Sequence, residues 1–325
     1  MVSVSYHDRV NVLQGTNAKA ASPFARTEWL ELLGGDDVQP VIAIAKTDNG
    51  FAALPLAAQN GRLESLINWY NFTWHPLVSG STDALTALAA SLKSKTHRVT
   101  MWPVGEECEE ASQIESAFRA SGWHVFWEQC DKNHVLPVNG RNFAQYWAAR
   151  PGKMRTTLKR KAKKVDVEIL TRFDPEVWSE YEAVYQSSWK PEEGDPELLR
   201  AFAQQEGTAA RIRLAVARQD GKAVAAQFWT VEGGVAYIHK LAHLEQFKSL
   251  SAGTTLSAAL FEHVIDTDNV DLVDFGTGDD RYKADWMELV RPRYRIDCID
   301  PRQPKAWPAL AKRMFQRLAR PARQS

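Results

Sequence analysis

Asp279, Asp280, Tyr282 and Lys283 place two carboxylates, a phenol and an amine within five residues. Such groups take up or deliver protons and steady a developing negative charge. Upstream, His239 alternates to one face of an apolar stretch with Tyr237 and Leu241. An unperturbed histidine suits a general base near neutrality, whereas Asp279 would need a raised pKa. Tyr282 offers a proton donor for a leaving group, or simply packs. A second constellation, Ser249, Ser251, Ala252, Gly253, Thr254 and Thr255, precedes apolar residues at helical spacing, Leu256, Ala259, Leu260 and Val264. A helix beginning there turns free N–H groups and the positive end of its dipole outward. Small residues let a phosphate or pyrophosphate approach them. An ordinary capped helix fits the same residues equally well.

Several chemistries lack their sequence hallmark. Asp274-Phe275-Gly276-Thr277-Gly278 imitates the start of a dinucleotide fingerprint, but the third glycine is missing and only 47 residues follow it. His239 and His243 stand four apart without the glutamate of a zinc-protease helix, and no metal is expected. Neither a GxSxG elbow nor a GxxxxGK[ST] loop occurs. Cys108, Cys130 and Cys298 are an odd set without CxxC spacing, which argues for small packed side chains rather than disulfides. Lysine plus arginine equals aspartate plus glutamate at 40 each, so no overall field draws the chain to nucleic acid or membrane, and DNA is not an expected partner. The first residues lack a signal-peptide core and no stretch approaches a membrane span, so a cytoplasmic protein is expected.

Around these residues the 325-residue chain repeats one order of elements, consistent with two domains. In the first half a helix from Ser22 to Leu33 precedes strands Val41 to Ala45 and Phe51 to Leu56 about Asp48-Asn49-Gly50. A helix Thr82 to Leu92, a strand Val99 to Trp102, a helix about Ile114 and Phe118 and a strand Trp123 to Trp127 follow. In the second half, helices about Trp178 and Leu198 lead into strands Arg211 to Ala217, Ala223 to Val231 and Val235 to Leu241. Then come the Gly253 helix, a strand Asp271 to Phe275, a short helix and a strand Arg293 to Ile299. Expected boundaries are 1–150, 151–300 and a basic amphipathic C-terminal helix in 301–325. Between the halves, Arg150, Lys153, Arg155, Lys159, Arg160, Lys161, Lys163 and Lys164 fall within fifteen residues that hold no acid. A solvated linking helix and an arm gripping phosphates both fit. The tail puts Trp307, Leu310, Ala311, Met314, Phe315 and Leu318 on one face among arginines and lysines. That face could dock on the protein or lie on anionic lipid through 304–320.

The segment HKLAHLEQFKSLSAGTTLSAALFEHVI followed by DLVDFGTGDDRYKADWM resembles GNAT acetyltransferases of the CelD-like branch related to the FemAB peptidyltransferases, over about Arg155 to Ile299. The resemblance implies an α/β fold of two tandem GNAT-like domains, each a mixed, mostly antiparallel sheet flanked by helices. It makes the second domain the acyltransferase and the first a degenerate copy on the acceptor side. There, Asn68 to Pro76 carry four aromatics in six residues, either a sugar or lipid platform or interdomain packing. It further implies that Ser249 to Thr255 bind the pyrophosphate of acetyl-CoA or another acyl-CoA and that Lys283 steadies the developing charge, while His239, Asp279 and Tyr282 are the proton-transfer candidates by their own chemistry. A surface lysine paired with Asp279 or Asp280 is the plainer use of Lys283. The expected acceptor is an amine or hydroxyl of a small-molecule, glycan or lipid-linked compound of envelope or polysaccharide metabolism. The usual GNAT loop has two glycines, or a glycine and an alanine, after an arginine or glutamine; this chain has only Gly253 among serines and threonines. An aminoacyl-tRNA donor, as in FemAB relatives, is therefore the alternative, and a non-catalytic glycan-precursor module is a third.

Overall fold

The computed structural model describes residues 2–16, 22–34 and 38–319. In chain order the first elements are β1 (Ser3–His7), α1 (Thr27–Leu32), β2 (Gln39–Thr47), β3 (Gly50–Gln59), β4 (Arg62–Ser65), β5 (Leu77–Gly80), α2 (Asp83–Leu92), β6 (Arg98–Gly105), α3 (Glu109–Ala120) and β7 (His124–Pro137). Next come α4 (Phe143–Ala148), α5 (Gly152–Lys161), β8 (Asp166–Leu170), α6 (Pro175–Gln186), α7 (Pro196–Thr208), β9 (Ile212–Gln219), β10 (Lys222–Glu232) and β11 (Val235–His243). The chain closes with α8 (Ala252–Glu262), β12 (Leu272–Thr277), α9 (Lys283–Trp286), β13 (Leu289–Ile299) and α10 (Trp307–Ala319).

Local chemistry accounts for many of these ends. Asn142 and Gln145 form a reciprocal capping box on α4. Asp174 and Asp195 accept from the first free N–H groups of α6 and α7, each with proline at the first helical position. Asn60-Gly61, Asp220-Gly221 and Gly233-Gly234 all have positive φ, the conformation that tight hairpin turns require. The helix expected from Ser22 to Leu33 is broken: Pro23–Ala25 form a 3-10 turn and Arg26 is extended before α1.

Two compact units result, 1–131 with 292–325, and 132–291. This differs from the expected division at 150 and 300, and strand pairing is the reason. Arg293 to Ile299 of β13 pair with Arg98 to Gly105 of β6 in the first unit. The end of β7, Asn133 to Pro137, pairs with Leu272 to Thr277 of β12 in the second. The first unit thus takes β13 from the far part of the sequence, the second opens with the end of β7, and α10 belongs to the first unit rather than standing alone.

As expected, the strands of each unit pair in a mixed, mostly antiparallel pattern with helices against them. In the first unit β4 and β6 are parallel while β1-β2-β3-β4 and β6-β13 pair antiparallel. Leu54, Leu85, Leu88, Met101, Phe118 and Ile296 centre its core. The aromatic segment packs within this unit: Tyr70, Phe72 and Trp74 are buried, and Trp74 Nε1 donates to Pro55 O at 2.9 Å. Trp69 is exposed. In the second unit β8-β9-β10-β11 is an antiparallel run and β11/β12 the parallel pair. Trp229, Leu256, Phe261, Val273 and Trp286 lie in its core, and Met154 and Leu158 of α5 pack on it. The basic stretch thus docks one apolar stripe on the core and turns Lys153, Arg155, Lys159, Arg160, Lys163 and Lys164 outward, as an amphipathic surface helix requires, while Arg150 is buried and Lys161 half-buried.

Candidate functional site

The second unit has a backbone opening between its two parallel strands. Val235 to Tyr237 pair with Leu272 to Asp274, after which β11 runs on to His243 and β12 to Thr277 without further pairing to each other. The ladder between β11 and β12 thus covers only their first three residues, and the two strands part beyond it. From β11 the chain passes through the 3-10 turn Glu245–Leu250 into α8, and Ser251, in the left-handed conformation at φ 55°, makes the corner. The amino end of an eleven-residue helix consequently follows directly on the β11 side of the opening.

The residues at that end fit an anionic group. Lys161 Nζ donates to Ser251 Oγ at 3.1 Å, bringing a cation of the basic helix to the start of α8. A Cβ built on Gly253 would have His243 Nδ1 as its nearest neighbour at 3.5 Å, an ordinary contact, so packing does not demand glycine there. Thr255 is buried, its N–H donates to Ser251 O, and its hydroxyl has no hydrogen-bond partner. Ala252 is buried, Thr254 half-buried and Ser249 exposed. Gln227, buried on β10, holds the first turns from below: its Nε2 donates to Ser257 Oγ at 2.7 Å and Gly253 O at 3.4 Å, and Trp229 Nε1 donates to its Oε1. Sequence reasoning missed Gln227, since nothing local marks a strand glutamine as a helix anchor. His243 lies by Gly253, its ring 4.2 Å from that of Trp189, and burial lowers its pKa more than Glu245 raises it.

The Asp279 to Lys283 turn gathers differently from the expectation. Lys283 is buried; its Nζ donates to Thr277 O and Gly278 O and stands 5.4 Å from the centre of the Phe275 ring. Asp279 instead meets Lys132 Nζ at 2.5 Å and His134 Nε2 at 3.4 Å. The Lys132 hydrogen bond holds its carboxyl below the ordinary range. Tyr282 packs edge-on to Phe275 and its pKa is pushed up to about 12, by burial first and the Asp280 carboxylate second. Gly276 and Gly278 take φ of 67° and 94°, so the Gly-Thr-Gly run is a left-handed bend rather than a nucleotide loop. Asp274 Oδ1 accepts from Gly276 N–H at 2.8 Å and Asn133 Nδ2 at 2.6 Å, while Arg291 lies 3.6 Å away. The acidic-Phe-Gly element is thereby a self-bonded turn.

His239 belongs to another face. Its Nε2 is 2.8 Å from Thr230 Oγ1, and its ring lies against Phe228 and Phe202 under α6 and α7. On the same side Trp178, Tyr181, Tyr185, Glu182 and Glu193 line a pocket, which Lys240 of β11 joins by its 2.8 Å bond to Glu193. The structure thus places Tyr282 and Lys283 on the Phe275 ring, turns Asp279 of the same turn to Lys132 and His134, and sets His239 among other aromatic rings. Asn133, His134 and Lys132, which sequence reasoning missed, reach the turn because β7 pairs with β12 from 140 residues away in sequence, a pairing that leaves no local signal.

Residues 152–284 match the acetyltransferase (GNAT) domain family. Among solved structures, FemX is similar with a TM-score of 0.62 at 11% identity, over 86% of this chain and 93% of that one. L-PGS from Bacillus licheniformis gives 0.58 at 14% identity, over 96% of each chain. The C-terminal domain of a lysylphosphatidylglycerol synthetase candidate from Agrobacterium fabrum gives 0.56 at 14%, over 89% and 91%. No curated protein sequence matches.

Proposed function

We propose that this chain, a tandem GNAT protein related in fold to FemX and built on a GNAT-like acyltransferase fold, moves an acyl group from acyl-CoA, acetyl-CoA included, to an amine or hydroxyl of a cell-envelope or polysaccharide-related acceptor. One observation carries the reading: the parted ends of β11 and β12 beside an α8 amino end to which Lys161 brings positive charge. Acyl-CoA would supply an activated carbonyl and a thiol leaving group. Backbone N–H groups at the start of α8, with Lys161 and Gly253, would hold its phosphates. Main-chain N–H groups of β11 beyond Tyr237 would donate to the carbonyl oxygen and stabilise charge growing on it. Tyr282, protonated throughout the neutral range, is suited to give a proton to the leaving sulfur. Lys283 holds the Thr277–Gly278 carbonyls and so the shape of the β12 wall. For the acceptor proton the reading assigns His239 beside Thr230, which requires the acceptor to enter from the α6–α7 face of β11, opposite to the donor's phosphates at α8.

The thermal midpoint of the protein titrated with acetyl-CoA and longer acyl-CoAs tests this, since a ligand of the folded state raises it by linkage, about 2.7 kcal/mol at a hundredfold excess over Kd. No rise with any acyl-CoA would remove the reading. A second reading, an aminoacyl-tRNA donor, is favoured by the outward basic face of α5, where Lys153, Arg155, Lys159 and Arg160 are exposed, continued by Lys163 and Lys164. The lysylphosphatidylglycerol synthetase resemblance in fold is compatible with it. It requires tRNA binding that weakens steeply with salt, and flat or absent binding would exclude it.

A further inference from the structure

The first unit holds a buried cluster that acyl transfer does not use. His75, Cys108 and Glu110 each present a ligand atom, and these atoms lie within 4.8 Å of one another; among the described residues no other His, Cys, Asp or Glu trio does so. His75 and Cys108 are buried and Glu110 is half-buried. His75 is nine-tenths buried and its Nδ1 has no hydrogen-bond partner. A buried orphan of this kind costs about 1–3 kcal/mol unless something satisfies it. Cys108 Sγ points at Glu110 Oε2, 3.3 Å away. Next to the cluster, Arg293, 1% exposed, is neutralised by Glu107 through contacts of 2.8 and 3.1 Å, so Glu110 is not consumed by that cation.

We propose that His75, Cys108 and Glu110 form a binding site for a divalent zinc-class metal ion. Nitrogen, sulfur and one carboxylate oxygen are the donor set zinc prefers, and they are too soft for magnesium or calcium. Ligand atoms around tetrahedral zinc stand roughly 3.3–3.8 Å apart, so side-chain shifts of about 1 Å close the site. Binding replaces the thiol proton: the Cys108 S–H bond breaks, a sulfur–metal bond forms, and the proton leaves to solvent. Thiolate and carboxylate then balance the two positive charges. Because Glu110 reaches solvent, a water completes the shell. The ion clips the segment ahead of β5 to the amino end of α3, where Cys108 is the N-cap residue. The role is structural and adds a constraint across about 30 residues of chain.

Cobalt(II) added to the chelator-treated full-length protein tests the site, because a cobalt–thiolate bond gives a charge-transfer absorption that nitrogen and oxygen ligands do not. The expected result is saturation at one equivalent, displacement by zinc, loss of the band in Cys108→Ser, and at least tenfold weaker binding in Glu110→Gln. Glu110 is half-buried, so Glu110→Gln keeps the test open should Cys108→Ser fail to fold. Absence of the band in the folded wild-type protein, or its persistence in Cys108→Ser with Cys130 and Cys298 intact, overturns the assignment.

Discussion

Lys161 Nζ donates to Ser251 Oγ at 3.1 Å, tying the last turn of the basic helix α5 to the left-handed residue that starts α8. On the proposed function this contact makes Lys161 part of the donor's binding wall. Lys161→Ala should weaken acyl-CoA binding about tenfold, the scale of one charge-assisted hydrogen bond at about 1.4 kcal/mol. The melting temperature should barely move, because a single part-exposed polar contact adds little to stability. Calorimetric titration of acetyl-CoA into both proteins decides it; equal affinities would detach Lys161 from the donor site.

Gly253 separates a fold requirement from a ligand requirement. A methyl group there meets only His243 at ordinary distance, and alanine is the better helix former by up to about 1 kcal/mol. Gly253→Ala should therefore keep or raise the melting temperature while reducing donor affinity at least several-fold, because the added carbon stands where a phosphate approaches the backbone. Bulkier Gly253→Val should deepen the loss. Donor affinity unchanged in both variants would show that no ligand comes near this turn.

Lys283 is placed to hold the end of β12. Replacing its ammonium in Lys283→Met keeps the stem over Phe275 and leaves the Thr277 and Gly278 carbonyls without their donor. A loss of about 1–3 kcal/mol in urea unfolding is expected. The transfer rate should fall at least tenfold, as the wall the substrate meets loses its shape. Unaltered turnover in a folded Lys283→Met protein would clear the residue of any part in the reaction.

The elements around the site were largely legible in the sequence because their causes are local: strand alternation, hairpin turns with positive φ, proline and aspartate at the starts of α6 and α7. The small-residue turn before α8 was legible for the same reason. What escaped was set by distant pairing. Nothing near Asn133, His134 or Lys132 announces that this end of β7 lies against β12, and nothing near Arg293 announces β6. The unit boundaries shifted for the same reason. Lys283 was legible as a residue but its bonds to the Thr277 and Gly278 carbonyls were not, nor was the pairing of Asp279 with Lys132.

Asp297 makes the first unit acid-sensitive. It is 1% exposed, bonded by Arg98 at 2.7 and 2.8 Å, by Arg313 at 2.7 Å and by Thr100 at 3.3 Å. Burial alone would raise its pKa, but Arg98 and Arg313 together hold it below the ordinary value. A depressed folded pKa means stability that is present above the unfolded value near 3.9 and lost as pH falls through the folded one. Unfolding free energy should thus drop as pH goes below about 4, and Asp297→Asn should remove this part of the slope. At neutral pH the variant should lose about 3–5 kcal/mol, the cost of leaving buried guanidiniums without their anion. Chemical unfolding at neutral and acid pH measures both; a slope that survives the substitution would assign the acid sensitivity elsewhere.

The C-terminal helix meets its own unit by charge rather than by its apolar side. Arg313 of α10 bonds Asp297 and Glu128, whereas Trp307, Met314 and Phe315 are 57%, 45% and 72% exposed. Arg302, Lys305 and Lys312 are exposed with them, and Asp300 is the last acid of the chain. Of the two uses open to the apolar face, docking on the protein is not made by these three residues, which turn outward. Leu318 and Arg320 lie outside the residues whose side chains are described. No helix among the described residues is long and apolar enough to cross a membrane. An outward aromatic and basic face suits the surface of an anionic bilayer, each cation adding about 1 kcal/mol and each buried large side chain about 1.5–3 kcal/mol. Co-sedimentation should show binding to phosphatidylglycerol vesicles and little to phosphatidylcholine vesicles, weakening as salt rises. Phe315→Ser should reduce the bound fraction roughly tenfold in affinity, with acyl-CoA binding intact because α10 belongs to the other compact unit. Equal sedimentation with neutral and anionic vesicles, or none with either, would refute a lipid-facing role for α10.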